Sequence, residues 1–212
     1  MSRLRYNRAG AEEHLRRQCP KLGAFVEIQG RFRLRVARDP DVFCALSRAI
    51  VYQQLSGKAA GTIHQRFCGL FDDGCPEPSA AAGLDMERLR AAGLSRNKAL
   101  SVQDLARRSL DGSLAGFRRL GRMSDEAVIT NLCQVRGIGP WTAQMFLMFN
   151  LGRPDVMPAT DLGVQKGVQA VYGLRSLPPP DRVLRVTRHL APYRSAASWY
   201  FWRAADTDLM TR

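Results

Sequence analysis

The chain has 212 residues, 45% of them hydrophobic, with a formal net charge of +13 and a pI near 10.4. That size and apolar content allow a real buried core in one domain or two closely packed helical lobes, and no apolar run approaches membrane-spanning length. The positive excess favours a polyanionic partner: Lys supplies only Lys21, Lys58, Lys98 and Lys166 of the 32 basic residues, and Arg, which supplies the rest, makes bidentate phosphate contacts.

Residues 1–40 read as an N-terminal extension packed on a helical core. Its opening, Met1 to Arg8, carries charge with no apolar segment after it, so no secretion signal is recognised and a soluble, cytoplasmic, nucleoid-associated protein is expected. The one strand-like piece is Phe32–Val36, where apolar and basic residues alternate. Residues 41–212 read as a single helical domain. Val42, Leu46, Ala49 and Ile50 fall at helical spacing, and Asp41, after Pro40, is a candidate N-terminal cap. Gly74–Ser79 and Leu177–Asp181 are loops by composition. Between them helices are predicted over 86–91, 98–110, 124–135, 141–149 and 161–171, with Ser124-Asp125-Glu126 as a start signal, and Asp181 opens a further helix. The chain lacks long repeats, so the expected fold is all-α.

Five cysteines, Cys19, Cys44, Cys68, Cys75 and Cys133, form no C-x-x-C pair, and their odd number argues for reduced thiols. His14, His64 and His189 are scattered. No metal site built from side chains is expected.

The most informative stretch is Leu132-Cys133-Gln134-Val135-Arg136-Gly137-Ile138-Gly139-Pro140-Trp141-Thr142-Ala143. A helix ends at the first glycine, two glycines let the backbone turn and approach a ligand, and a second helix opens with outward N–H groups. Leu132, Val135 and Ile138, then Ala143, Phe146 and Leu147, give each helix an apolar face. This is a helix-hairpin-helix device for holding a nucleic-acid phosphate. A short distance on, Pro158-Ala159-Thr160-Asp161 presents a single carboxylate, which is equally well placed to cap the helix that begins at Leu162.

The hairpin string with its downstream Pro-x-x-Asp resembles the helix-hairpin-helix-Gly/Pro-Asp (HhH-GPD) superfamily of DNA glycosylases, most closely the bacterial 3-methyladenine DNA glycosylase II (AlkA) group. The resemblance runs from about Phe43 to Trp202 through three further segments: Ile50–Ala60, Gly93–Ala99 and Tyr193–Trp202. It implies an enzyme that rotates an alkylated purine out of double-stranded DNA and hydrolyses its N-glycosidic bond in base-excision repair. The implied roles fall on particular residues. Gly137, Ile138, Gly139 and Thr142 would grip phosphate, with a monovalent cation on the hairpin carbonyls as the only cofactor. Gln54, with Leu55 beside it, would fill the vacated stack, although relatives place an apolar wedge there. Trp141, Met145 and Trp202 would line the base pocket, Met145 standing where relatives have Tyr. Asp161 would stabilise the oxocarbenium-like sugar and orient water; Asp155 matches no family position.

Superfamily members that cut the strand through a Schiff base carry Lys where this chain has Trp141, which implies a monofunctional enzyme without lyase activity. The cysteine-ligated cluster of some branches has no counterpart after Cys133, and a monomer is expected. Arg136 and Lys166 read equally well as phosphate contacts or solvated charges. Two alternatives stay open: a glycosylase for deaminated or etheno purines on this scaffold, and a non-catalytic module for damaged DNA.

Overall fold

The computed structural model describes residues 4–37 and 41–207; the first three residues and Pro40 of the readings above lie outside them. The described residues form thirteen α-helices: α1 Arg8–Gln18, α2 Pro20–Gln29, α3 Val42–Tyr52, α4 Gly57–Cys68, α5 Pro78–Ala82, α6 Met86–Ala91, α7 Arg96–Leu110, α8 Phe117–Leu120, α9 Asp125–Leu132, α10 Pro140–Phe149, α11 Leu162–Tyr172, α12 Pro180–Val186 and α13 Arg194–Asp206. A 3₁₀ turn at Arg188–Leu190 precedes α13. No strand occurs among the described residues, and no helix there is long and apolar enough to cross a membrane. The all-α expectation holds.

Helix starts follow side-chain chemistry. The carboxylates of Asp41, Asp85 and Asp161 accept from Cys44, Arg88 and Val164 N–H at 2.7, 2.7 and 2.9 Å, and the hydroxyls of Ser95 and Ser124 accept from Lys98 and Ala127 N–H. Pro78 and Pro180 open α5 and α12, so the compositional loops at 74–79 and 177–181 are shorter than proline content suggests.

The chain divides into two compact units. One comprises Asp39–Ala143 and centres on Leu46, Ile50, Phe67, Leu89, Val102 and Leu105, all fully or almost fully buried. The other joins Met1–Arg38 to Gln144–Arg212, so the chain passes between units inside α10. In this second unit α11 and α13 form the most extensive helix pair, with α1 and α2 beside them.

Gly167 explains the closeness of α11 and α13, because a Cβ built there would stand only 1.9 Å from the Phe201 carbonyl oxygen. No side chain fits between those backbones. The two glycines of α11, Gly163 and Gly167, are one turn apart on the face that meets α13.

The N-terminal segment departs from its sequence reading. It contains α1 and α2, which bury Leu15, Leu22, Phe25 and Val26 as part of the core. Phe32–Val36 is extended but is not a strand: it alternates as expected, burying Phe32 and Leu34 and exposing Arg33 and Arg35, yet it has no partner strand among the described residues. Side chains satisfy its backbone instead. Phe32 N–H donates to the buried Glu12 carboxylate at 2.6 Å, and the Arg8 guanidinium donates to Leu34 carbonyl at 3.0 Å.

Candidate active site

The hairpin is built as the glycine pattern demands. Gly137 has φ +78°, and an added Cβ would lie 2.7 Å from the Ser101 hydroxyl of α7, so this position needs glycine for both conformation and space. Gly139 is different: a Cβ there would meet nothing within 4 Å, so its backbone lies against open space that a ligand can enter. Ile138 is a buried apolar anchor whose N–H donates to Val135 carbonyl. The first helical bond of α10 is Ala143 N–H to Gly139 carbonyl, and the N–H groups ahead of it form the positive end of the helix. Thr142 sits in that first turn with its side chain buried, while Trp141 is 43% exposed.

Side chains of the same unit hold the hairpin in place. Arg136 N–H donates to Asp104 Oδ2 at 2.8 Å, and Asp104 is in turn held by Arg107 and Arg108 at 2.7 and 3.0 Å. Burial pushes the Asp104 carboxyl up, but the Arg136 N–H and the two guanidinium groups outweigh it and leave the group below the ordinary carboxylate range. The Arg136 guanidinium itself reaches Asn97 Oδ1, at 3.4 Å.

The loop between α3 and α4 carries the two wedge candidates. Gln54 and Leu55 are both exposed, Leu55 at 39%, so Leu55 is not a core residue. Gln53, one residue before them, ties this loop to the hairpin by donating from its amide to Gly137 carbonyl at 2.8 Å.

In the other unit, Asp161 stands at the head of α11. Its Oδ1 accepts from Val164 N–H and from the Trp202 indole N–H, each at 2.9 Å. Both bonds fall on one oxygen and orient the carboxylate. Trp202 is stacked on Phe149, with ring centroids 5.9 Å apart and planes 22° apart, and it reaches Asp161 over Gly163, where a Cβ would lie 2.8 Å from the indole and 3.1 Å from the carboxylate. Met145 is half-buried on α10, and Lys166 is exposed on α11. Trp199 is half-buried and packs edge-on to Phe32 at 5.5 Å.

The loop leading to Asp161 is fastened to α13 along its length. Arg194 grips Asp155 with two bonds of 2.7 and 2.8 Å. The Ser195 hydroxyl accepts from Val156 N–H and donates to Arg153 carbonyl, and the Ser198 hydroxyl lies against Val156 carbonyl. Burial pushes Asp155 up, but Arg194 more than compensates and holds it below the ordinary range, so Asp155 is a structural anchor.

Asp161 and Trp202 are therefore brought together by α11 and α13. Phe149, Gly163 and the Arg194-Ser195-Ser198 clamp were missed as site-building residues. The four-residue glycine spacing in α11 was the available signal for Gly163, whereas nothing local marks Phe149.

Comparison with known proteins accords with this geometry. Residues 47–192 match the family described as HhH-GPD superfamily base excision DNA repair protein. The chain is 35% identical over 197 residues to DNA-3-methyladenine glycosylase 1 of Schizosaccharomyces pombe, covering 92% of this chain and 86% of the relative. Among solved structures it is similar to the S. pombe 3-methyladenine DNA glycosylase Mag1 in complex with abasic DNA, with a TM-score of 0.86, 34% identity and coverage of 96% and 100%. It is likewise similar to a DNA-3-methyladenine glycosidase from Bacillus halodurans, with a TM-score of 0.85, 34% identity and coverage of 95% and 91%.

Proposed function

The chain belongs to the HhH-GPD superfamily of base excision DNA repair proteins, and on that footing we propose that it is a monofunctional DNA glycosylase that removes alkylated purines of the 3-methyladenine and 7-methylguanine type. The observation that carries the reading is the oriented carboxylate of Asp161, fixed by the Trp202 indole and the first turn of α11.

Each step of the reaction has a residue suited to it. The hairpin amides and the open backbone at Gly139 suit one phosphate of double-stranded DNA, a contact that is independent of sequence and weakened by salt. A nearby monovalent cation belongs to the same proposal, held by main-chain carbonyls of the hairpin. The exposed Gln54 or Leu55 takes the place of the extruded nucleotide.

As the bond between C1′ and the base nitrogen breaks, its electron pair leaves with the base and positive charge develops on the sugar. Asp161 stabilises that charge and directs water to C1′, and the proton lost by the water passes to the carboxylate or to solvent. Alkylation supplies a positively charged leaving group, which favours stacking on an aromatic face such as that of Trp202 and needs no separate acid to activate it. With Trp rather than an amine at 141, the product is an abasic site without a strand break. The protein acts as a monomer.

The test is direct. Wild type and Asp161→Asn are incubated with dimethyl-sulfate-treated DNA, and released methylpurines and abasic sites are measured before and after alkali. Release by wild type alone, with breaks only after alkali, is expected. Salt-sensitive DNA binding with no release by either protein would overturn the alkylpurine assignment.

A further inference from the structure

Gln54 is the one non-glycine residue with positive φ among the described residues, at 56°. A side chain in that region is strained and stays there only when its surroundings fix the backbone. Those surroundings converge on Lys98. Its ammonium, in the first turn of α7, donates to Val51 carbonyl at 2.7 Å and to Gln53 carbonyl at 2.8 Å. These carbonyls belong to the C-terminal end of α3, where the helix dipole favours a cation. Gln53 is also held by its side chain, whose amide donates to Gly137 carbonyl. The residue just before Gln54 is thus tied through its backbone to an α7 ammonium and through its side chain to the hairpin.

The same helix supports the hairpin directly. One turn beyond Lys98, Ser101 lies under Gly137, and one turn further Asp104 accepts from Arg136 N–H. Lys98, Ser101 and Asp104 therefore form a row along α7 whose first member fixes the Gln54 loop and whose others fix the phosphate-binding turn. Burial lowers the Lys98 pKa, in keeping with an ammonium taken partly out of water to serve these carbonyls.

We propose that Lys98 is a positioning residue for base extrusion: by capping α3 it keeps the left-handed Gln54 presented in register with the hairpin, so that gripping the phosphate and filling the stack occur together. Lys98 touches no DNA in this scheme. The inference rests on the glycosylase reading above.

Lys98→Met removes the charge and keeps the aliphatic stem, whereas Lys98→Arg keeps a cation able to reach both carbonyls. Extrusion is read from the fluorescence of 2-aminopurine placed beside an abasic analogue in duplex DNA. Single-turnover methylpurine release, binding to undamaged duplex and thermal melting are measured alongside. For Lys98→Met the expected result is duplex binding within about twofold of wild type and nearly unchanged melting, with the fluorescence signal and release rate reduced roughly tenfold or more. Lys98→Arg restores most of both.

Extrusion and release by Lys98→Met at wild-type levels would overturn the inference. So would a parallel loss of melting temperature and duplex binding, which marks a merely structural lysine, or failure of a folded Lys98→Arg to restore extrusion. Absence of release from wild type removes the glycosylase reading and this inference with it; normal release from both wild type and Lys98→Met removes the inference alone.

Discussion

The hairpin and the Asp161 turn each place a functional group at the start of a helix, and they are held to different degrees. The hairpin rests on polar contacts to its main chain: Asp104 on Arg136 N–H and Gln53 on Gly137 carbonyl, with open space at Gly139. The Asp161 turn adds close packing of α13 on the glycine face of α11 to side-chain bonds from Arg194, Ser195, Ser198 and Trp202 along the preceding loop. A phosphate grip can adapt to any backbone and works by main-chain dipoles. A carboxylate that stabilises a developing charge must already be in place, since reorganising during the reaction forfeits the benefit. The rigid support lies at the carboxylate to which we assign the chemistry.

The hardest way to break the packed side is Gly167→Ala. The added methyl would stand 1.9 Å from the Phe201 carbonyl, so two backbones must separate. A loss of about 3 kcal/mol or more is expected, seen as a melting temperature lower by roughly 6–12 °C or as insoluble protein. A stable Gly167→Ala protein would show that the helix pair tolerates slack.

Gly163→Ala asks for a smaller displacement. Here the obstruction is the edge of Trp202, 2.8 Å from the added Cβ, and a ring can tilt where a backbone cannot. Alanine also improves helix propensity by about 1 kcal/mol, so stability changes little. Tilting the indole breaks its bond to Asp161, and methylpurine release is expected to fall roughly 10- to 100-fold with duplex binding intact. Trp202→Phe sharpens the point by retaining an aromatic ring for the stack on Phe149 while deleting the N–H; a loss of about tenfold in single-turnover rate is expected.

Asp155→Asn weakens the same loop further from the reaction. Replacing one partner of the two-bond Arg194 pair should cost about 1–2 kcal/mol, since the site is only partly buried. The folded pKa of Asp155 lies below its unfolded value, so its contribution is fully present above the ordinary aspartate range, near pH ~4, and is lost as pH falls through the folded value. Melting curves between neutral and acidic pH should show a shallower acid decline for the variant than for wild type. Identical slopes would mean that Arg194 contributes no linkage.

The contrast between the two regions also governs what could be read in advance. Gly137, the Asp161 cap and the main helices of the middle of the chain are legible because each depends on local chemistry: a left-handed turn, an oxygen near orphan amides, an apolar stripe. Helices α1 and α2 were not read, because neither carries an acidic residue in its first turn and α2 has no side-chain cap, although Asn7 caps α1 and Pro20 opens α2. Phe32–Val36 has the alternation of a strand without a partner, and pairing is a tertiary fact that alternation alone does not encode. The same limit hid Phe149 and Lys98, whose roles depend on residues more than forty positions away in sequence.

Gln54→Gly is the gentlest substitution and the one that separates the regions most clearly. Glycine adopts φ +56° without strain but makes the unfolded chain more flexible, so the two effects nearly cancel and a gain of about 0.5 kcal/mol, roughly 1–2 °C in melting temperature, is expected. The variant should nevertheless release methylpurines more slowly, because the Gln54 side chain then no longer helps to fill the vacated stack. Gln54→Ala removes the same side chain but keeps the strained backbone, so it should match Gln54→Gly in release without the gain in melting temperature. If Gln54→Gly melts below wild type, the left-handed loop is not under strain and Lys98 is not needed to hold it. If it melts higher and releases more slowly, strain at this loop is retained for function, whereas no substitution in the Asp161 region is expected to trade activity for stability in that way.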